Sequence, residues 1–196
     1  MHPAMLYLAS ASPRRQELLS QVGISFEVMP SQIPEVRVTD ESPERYVQRV
    51  AADKARHVAQ RLAARGALAP PVLGVDTEVI LGGEIFGKPR DRAHARQMLQ
   101  RLSGQRHTVL TALCLVHNST ETAALSTSHV TLAPLTPGEI AAYVDSGEGD
   151  DKAGAYAIQG RAARFIARLE GSYSGVMGLP LHEVHELLKH AGLNNE

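Results

Sequence analysis

Several features that would place a protein in a common class are missing from this chain of 196 residues. Cysteine occurs once, at Cys114, which excludes an intramolecular disulfide and any zinc site built from several cysteines. No apolar stretch approaches the length of a membrane span, and the N-terminus lacks the basic region and the apolar run of a signal peptide. These absences predict a soluble protein of the cytoplasm, where thiols stay reduced.

A large excess of charge of one sign is also missing. The chain has 20 Lys and Arg residues and 21 Asp and Glu residues, which gives a net charge of -1 at pH 7. Proteins that bind nucleic acids usually carry a basic excess or a basic stripe, whereas the two signs are interleaved here. The sequence therefore predicts no extended nucleic-acid surface.

Apolar runs and helical patterns alternate along the chain, without an internal repeat or a low-complexity tract. Helices are expected to begin at Ser12-Pro13, Ser42-Pro43 and Asp91, because capping residues, twice followed by proline, mark helix starts. Gly82-Gly83 between apolar runs predicts a hairpin turn. The alternation predicts an α/β fold with a mixed central sheet flanked by helices. We expect one domain over residues 1–196, with either a single core or two lobes and the site in the cleft between them.

Two arginines stand where a helix does not favour them. Arg14 and Arg15 fall in the first helical turn, where the helix dipole disfavours cations by a few tenths of a kcal/mol or more. An anion would satisfy both arginines, the free N–H groups of the helix end and the hydroxyls of Ser10 and Ser12. The alternative is that both arginines point into solvent.

Lys54 and Asp76 are two further charges that folding alone does not require. Lys54 lies within the apolar stripe of the second predicted helix, so it either extends along the margin of that stripe or reaches into a cleft. Asp76 follows an apolar run at the carboxyl end of a predicted strand, where ligands bind in open α/β sheets.

The hairpin turn predicts the position of a second lysine. If Leu81 pairs with Glu84, then Thr77 faces Lys88, which brings Lys88 beside Asp76. An ordinary ion pair at the base of a hairpin is the alternative interpretation.

Other polar residues are weaker candidates. Glu35 lies in a loop, where a carboxylate is normally solvated, and Glu78 and Glu84 are predicted to be exposed hairpin charges. His107 either contacts a phosphate or stabilises a turn, and the remaining histidines show no spacing typical of metal ligands. Gln159 lies in a glycine-rich segment and offers a donor and an acceptor side by side.

Six segments, in this order and spacing, resemble the Maf family of nucleoside triphosphate pyrophosphatases. They span nearly the whole chain and comprise Leu6–Leu19, Gly74–Thr77, Gly87–Asp91, Ser103–His107, Ala153–Gly160 and Gly171–Pro180. Each segment alone is a weak signal, but the ordered set is specific.

This resemblance implies a fold like that of the inosine triphosphate pyrophosphatases, a homodimer and a divalent metal cation such as Mg²⁺, Mn²⁺ or Co²⁺. The implied reaction converts a nucleoside triphosphate and water to the monophosphate and pyrophosphate, with attack at the α-phosphorus. The family's positions carry over onto catalytic Arg14, Lys54, Asp76 and Lys88, onto substrate-binding Ser10, Ser12, Arg15, Thr77 and Gln159, and onto the metal ligands Glu35 and Asp76. We hypothesise that Asp76 activates the attacking water, directly or through the metal.

The residue at position 159 separates two branches of the family. The segment Tyr156–Gly160, with Gln159, resembles the branch that prefers dTTP and UTP, whereas a glutamate there is typical of the branch that prefers 7-methyl-GTP. A glutamine amide can donate to O4 and accept from N3–H of thymine or uracil, which a carboxylate cannot do. The dTTP/UTP activity, with clearance of modified pyrimidine nucleotides and restraint of septum formation, is therefore expected. The alternatives are the 7-methyl-GTP activity and a nucleotide-binding septation regulator with little turnover.

Overall fold

The computed structural model describes residues 6–66 and 70–193, which form a mixed α/β fold. The helices are α1 (Pro13–Gln21), α2 (Pro43–Ala63), α3 (Arg92–Leu102), α4 (Pro137–Asp145), α5 (Tyr173–Met177) and α6 (Leu181–His190). The strands are β1 (Leu6–Leu8), β2 (Phe26–Val28), β3 (Val72–Leu81), β4 (Glu84–Phe86), β5 (Arg106–His117), β6 (Thr120–Leu132) and β7 (Ile166–Glu170). Short 3₁₀ turns lie at Ala153–Ala155 and Arg161–Phe165.

The strands form one mixed sheet in the order β2-β1-β3-β5-β6-β7, with β4 paired to β3. β1 runs parallel to β2 and β3, whereas the β3–β4 and β6–β7 pairs are antiparallel. The prediction of an α/β fold with a mixed central sheet and flanking helices is confirmed. In the part of the chain that the structure describes, no helix combines the length and the apolar character that crossing a membrane requires.

The chain divides into two compact units. The first unit comprises the described residues of Met1–Asp76, Thr111–Ser126 and Gly178–Glu196, and the second comprises Thr77–Leu110 and Thr127–Met177.

In the first unit, α1 and α2 begin where the serine-proline signals predicted. Pro13 and Pro43 occupy the first turns, and the Ser42 side chain accepts a hydrogen bond from the N–H of Arg45. The face of α2 toward the sheet is apolar, with Val47, Val50 and Val58 fully buried. This burial of one helical stripe holds α2 against the strands.

Gly74 sets how closely α2 approaches β3. A Cβ at Gly74 would overlap the carbonyl oxygen of Ala51 and would lie 2.7 Å from the N atom of Ala55. Only a glycine leaves room for helix backbone at this distance, so the contact fixes the position of α2 along the strand.

The second unit has its own apolar core, in which helices α3 and α4 pack against the strands. Leu99, Leu102, Val130, Leu132 and Tyr143 are among its most buried members. The Asp91 side chain caps α3 by accepting from the N–H of His94, as predicted. The α4 start is closed by a capping box between Thr136 and Glu139.

The hairpin confirms the predicted turn but not the predicted length of its ladder. Gly82 and Gly83 both have positive φ, and Leu81 pairs with Glu84. The ladder ends at Val79 and Phe86, and the carbonyl of the next residue, Gly87, accepts from the N–H of Gly154. The expected pairing of Thr77 with Lys88 therefore lies beyond the observed ladder.

Other differences from the sequence prediction are local. The segment that begins at Arg164 forms a strand, β7, only from Ile166, since residues 161–165 form a 3₁₀ turn. The short helix α5 was not predicted, because its five residues are too few for a periodic pattern. Glu78, predicted to be exposed, is 7% exposed.

Candidate active site

Lys54 and Asp76 form a buried ion pair in the first unit. The Lys54 Nζ donates to Asp76 Oδ1 at 2.7 Å, and the same ammonium lies 2.8 Å from Glu35 Oε1. Lys54 and Asp76 are 7% and 3% exposed, whereas the Glu35 side chain is 44% exposed. One cation therefore joins an internal carboxylate to one that reaches solvent.

The packing of α2 on β3 explains why these two side chains meet. Gly74 and Asp76 are two residues apart in β3, so they face the same side of the strand. Gly74 lies against Ala51 and Ala55, which bracket Lys54 on α2. This packing brings the Lys54 ammonium to the Asp76 carboxylate, which follows the apolar run of β3. Of the two interpretations of Lys54, the structure supports the one in which its ammonium turns inward.

Burial dominates the electrostatics of Asp76. Removal from water raises the pKa of the Asp76 carboxyl, while Lys54 and, more weakly, Arg15 act in the opposite direction. A carboxyl with a raised pKa accepts a proton more readily than an exposed aspartate does. Among the described residues, none forms a hydrogen bond with Asp76 Oδ2. This oxygen therefore has its acceptor capacity unused.

The Arg15 guanidinium ties the start of α1 to the carboxyl end of β3. Its Nη1 donates to Ser10 Oγ at 2.9 Å and to the Val75 carbonyl at 3.1 Å, and its Nε donates to the Gly178 carbonyl at 2.8 Å. Arg15 therefore does not point into solvent but lies in the neighbourhood of Asp76. Arg14, its neighbour in the first helical turn, is half-buried.

Ser10 and Ser12, the two serines of the predicted anion site, differ in the hydrogen bonds that their hydroxyls make. Ser10 is 8% exposed, and its Oγ accepts from the N–H of Ser12 at 3.3 Å as well as from Arg15. Ser12 is the N-cap residue of α1, but its side chain makes no capping hydrogen bond. The hydroxyl that organises this loop is thus that of Ser10.

Tyr46 is a residue that sequence reasoning missed. Its hydroxyl donates to the Glu35 carbonyl at 3.2 Å, which anchors the Glu35 loop to α2. The only signal in the sequence is its place on the apolar face of that helix, which predicts burial rather than a contact with a loop.

Two carboxylates of the first unit are of the kind that a divalent cation binds. Among the described residues, no group of three or more His, Cys, Asp or Glu side chains could hold a metal ion. Mg²⁺, however, is usually bound by one or two carboxylates together with waters and substrate phosphates. Asp76, with its unused buried oxygen, and Glu35, on the same ammonium, provide two such carboxylates.

The remaining predicted residues belong to the second unit. Lys88 follows β4 and is exposed, Thr77 is partly buried in β3, and Gln159 is exposed in the turn that precedes the second 3₁₀ segment. His107 is 2% exposed and hydrogen-bonds through Nε2 to Tyr156 Oη at 2.8 Å. Of its two predicted roles, the buried contact favours the structural one, and burial lowers the pKa of His107 to about 4.

Known proteins resemble this chain over nearly its whole length. A dTTP/UTP pyrophosphatase of Ralstonia nicotianae is 53% identical, over 98% of this chain and 96% of its own. A protein of the same name from Cupriavidus metallidurans is 50% identical, over 97% and 98%. Among solved structures, the Staphylococcus aureus Ham1 protein is 18% identical with a TM-score of 0.41, over 66% of this chain and 72% of that one. A family model described as Maf-like protein matches residues 5–191. Because that match covers most of the sequence, this chain belongs to the family of Maf-like proteins.

Proposed function

We propose that this protein hydrolyses dTTP and UTP to the nucleoside monophosphate and pyrophosphate. The observation that carries the proposal is the Asp76 carboxylate, which is buried, held by Lys54 on one oxygen and unused on the other. A buried acceptor of this kind suits the activation of water or the binding of a cation at a phosphate. The names of the curated relatives and membership of the family support the same activity.

The basic residues are proposed to bind the triphosphate. A nucleoside triphosphate carries about four negative charges, which charge-assisted hydrogen bonds from Arg and Lys stabilise. Arg14 and the N–H groups at the start of α1 are assigned to phosphate oxygens, with Ser12 beside them. Lys88 is assigned to the pyrophosphate that leaves.

Arg15 and Lys54 have a double role in this proposal. Both already donate to protein oxygens, so each holds a part of the site in place before substrate binds. Their positive charges also stabilise the charge that develops on the phosphates during attack. Ser10 keeps the Arg15 guanidinium oriented.

Asp76 and Glu35 are proposed to hold the divalent cation, Mg²⁺, Mn²⁺ or Co²⁺. When bound, the cation would neutralise phosphate charge and lower the pKa of a water molecule. Asp76 activates the attacking water, either by accepting its proton on Oδ2 or by holding the cation to which the water would bind. The Lys54 ammonium keeps both carboxylates in place while this proton moves.

Gln159 is proposed to select the base, with Thr77 as a further contact to the nucleotide. A single amide pairs with O4 and N3–H of thymine or uracil, and cytosine presents the opposite pattern at these two positions. This selection also favours dTTP and UTP over 7-methyl-GTP, which a carboxylate at position 159 would suit.

The direct test is Asp76→Asn in an assay of pyrophosphate release with dTTP and Mg²⁺. The amide keeps the size of the side chain but removes the base and weakens any cation site, so turnover is expected to fall by about 10²-fold or more. The matched control is Asp53→Asn, which alters a partly exposed carboxylate that adjoins Lys54 in the sequence and pairs with Arg49 and Arg56, and which is expected to leave turnover unchanged. Turnover of Asp76→Asn near the wild-type value would exclude Asp76 from the reaction.

The broader setting is proposed on the family resemblance. The protein is taken to act in the cytoplasm as a homodimer without nucleic acid, to remove modified pyrimidine nucleotides and to restrain septum formation. Sedimentation of the purified chain tests the dimer, and a monomer at assay concentrations would contradict it.

A further inference from the structure

In the second unit, a series of hydrogen bonds holds the backbone on both sides of Gln159. No step proposed above uses these hydrogen bonds. The buried Tyr143 hydroxyl accepts from the N–H of Ala157 at 3.0 Å and donates to Glu148 Oε1 at 3.0 Å. The other oxygen, Glu148 Oε2, accepts from the N–H of Arg161 at 2.9 Å. One phenol and one carboxylate thus fix backbone N–H groups on both sides of Gln159.

Glycines allow the Glu148 segment to lie directly against this turn. A Cβ at Gly160 would overlap the Glu148 carboxylate, and a Cβ at Gly149 would overlap the Ala155 carbonyl. Gly160 has φ of -103°, so space, and not backbone conformation, excludes a side chain there. The N–H of Gly160 donates to the Ala157 carbonyl at 3.1 Å and closes the turn.

The segment is also fixed just before the turn. Tyr156 is buried, and its hydroxyl bonds to His107 Nε2 at 2.8 Å with the two rings edge to face. Gln159, by contrast, is exposed, and it extends from a backbone held at positions 156, 157 and 161. An exposed side chain on a backbone that is fixed on both sides is the arrangement that a recognition group requires.

We infer that Tyr143 and Glu148 are positioning residues that orient the Gln159 amide and thereby set the selection of the base. This inference rests on the proposed function, since it concerns which base the same site accepts. Neither side chain needs to contact the nucleotide. The Glu148 carboxylate acts through two backbone N–H groups, one directly and one through the Tyr143 hydroxyl, and its charge strengthens both hydrogen bonds.

The experiment compares kcat/KM for dTTP with kcat/KM for dCTP in Tyr143→Phe and Glu148→Gln. Tyr143→Phe removes the hydroxyl that joins Ala157 to Glu148 but keeps the ring. We expect the dTTP preference to fall about three- to tenfold, the change for one lost hydrogen bond, mainly through the KM for dTTP. Ser128→Ala is the matched control, because it removes another buried hydroxyl of the second unit that contacts Ser172 and not this turn.

A double-mutant cycle separates positioning from general loosening of the fold. In a Gln159→Ala background, Tyr143→Phe should have no further effect on the ratio, because the amide through which it acts is absent. Gly160→Ala provides a second approach, since its Cβ displaces the Glu148 carboxylate while Tyr143 is retained. It should lower the ratio in the same way, and it decides the question if Tyr143→Phe does not fold.

The possible failures can be told apart. If the wild-type protein releases no pyrophosphate from dTTP, the proposed function is wrong. If the wild type is active but Tyr143→Phe and Gly160→Ala keep the full dTTP preference, or if Tyr143→Phe lowers it equally without Gln159, the positioning role is wrong.

Discussion

Lys54 and Asp76 show how strongly single residues depend on each other in this protein. Both are nearly removed from water, so loss of Lys54 leaves the Asp76 carboxylate buried without its cation, which typically costs about 3–5 kcal/mol, whereas loss of Asp76 leaves Lys54 paired with Glu35. Loss of activity in a variant at either position therefore needs a check of folding. The Asn substitution of Asp76 retains an oxygen that can accept from Lys54 and limits that cost.

Gln159 allows a direct test of base selection at the residue scale. We expect Gln159→Glu to lower the preference for dTTP and UTP by about tenfold or more. A carboxylate has no N–H to donate to O4 of the base, and an unpaired O4 costs about 1–3 kcal/mol of binding free energy. The measurement is kcat/KM across a panel of nucleoside triphosphates. The same base preference in variant and wild type would remove Gln159 from recognition.

His107 predicts a pH dependence of stability. Burial lowers the pKa of the folded His107 to about 4, below the ordinary value of 6.5, so the unfolded chain takes up more protons as the pH falls. Its contribution to stability is complete above about pH 6.5 and decreases as the pH falls toward 4, with a loss of about 2 kcal/mol between pH 7 and pH 5.

Urea unfolding at pH 7 and pH 5 measures this loss of stability, and His107→Gln is the control because it lacks the titrating imidazole. The wild type should lose more stability than the variant over this range. Equal losses in the two proteins would mean that the imidazole does not titrate as its burial requires.

At the scale of elements, the contact between α2 and β3 places Lys54. We expect Gly74→Ala to destabilise the protein by about 1–3 kcal/mol or more, because the added Cβ meets helix backbone that cannot move aside without shifting α2. Turnover should fall further than stability alone explains, since Lys54 moves away from Asp76. Thermal unfolding and pyrophosphate release measure the two effects.

Gly138→Ala is the matched control for that substitution. Gly138 lies in the first turn of α4, and a Cβ there would meet nothing within 4 Å. Alanine at an unstrained helical position is expected to stabilise by about 0.4–1 kcal/mol. A loss of stability in Gly74→Ala no greater than in this control would show that the helix adapts to the added methyl group.

The sequence predicted elements well wherever a local signal exists. Proline after Ser12 and Ser42, and the Gly82-Gly83 turn, fixed helix starts and a strand register because a few neighbouring residues decide them. Two local predictions failed: Glu78 is buried rather than exposed, and the ladder ends before the expected pair of Thr77 and Lys88. Burial and the length of a ladder depend on packing between residues that are distant in the sequence.

The same limit applied to the site. Asp76 was identified from its place after an apolar run, and the arginines from their conflict with the helix dipole. The partner of Asp76 in the first unit, Lys54, follows instead from how a helix packs on a strand at Gly74. The spacing of apolar residues predicts the buried face of α2, but it does not predict which residues of β3 that face packs against.

At the scale of the whole molecule, the proposed cation is shared with the substrate and does not belong to the fold. We therefore expect EDTA to leave the Tm of the nucleotide-free protein unchanged, since no group of three or more candidate ligands occurs among the described residues. A non-hydrolysable dTTP analogue at about 100 times its Kd should raise the Tm by about 5–10 °C with Mg²⁺ present and much less without it.

Differential scanning fluorimetry in the four combinations of analogue and Mg²⁺ measures this linkage. An equal shift in Tm with and without Mg²⁺ would show that nucleotide binding does not depend on the cation. A fall in Tm on adding EDTA alone would instead indicate a resident structural metal.

Because the chain passes from the first unit to the second and back, the first unit is completed last during synthesis. The first unit takes its last stretch from Gly178 onward, and the Gly178 carbonyl is the acceptor for the Arg15 Nε. A ribosome has therefore made the whole second unit before the partner of this early arginine emerges. Chains that terminate before this point lack the Gly178 acceptor and keep only the Ser10 and Val75 acceptors of Arg15.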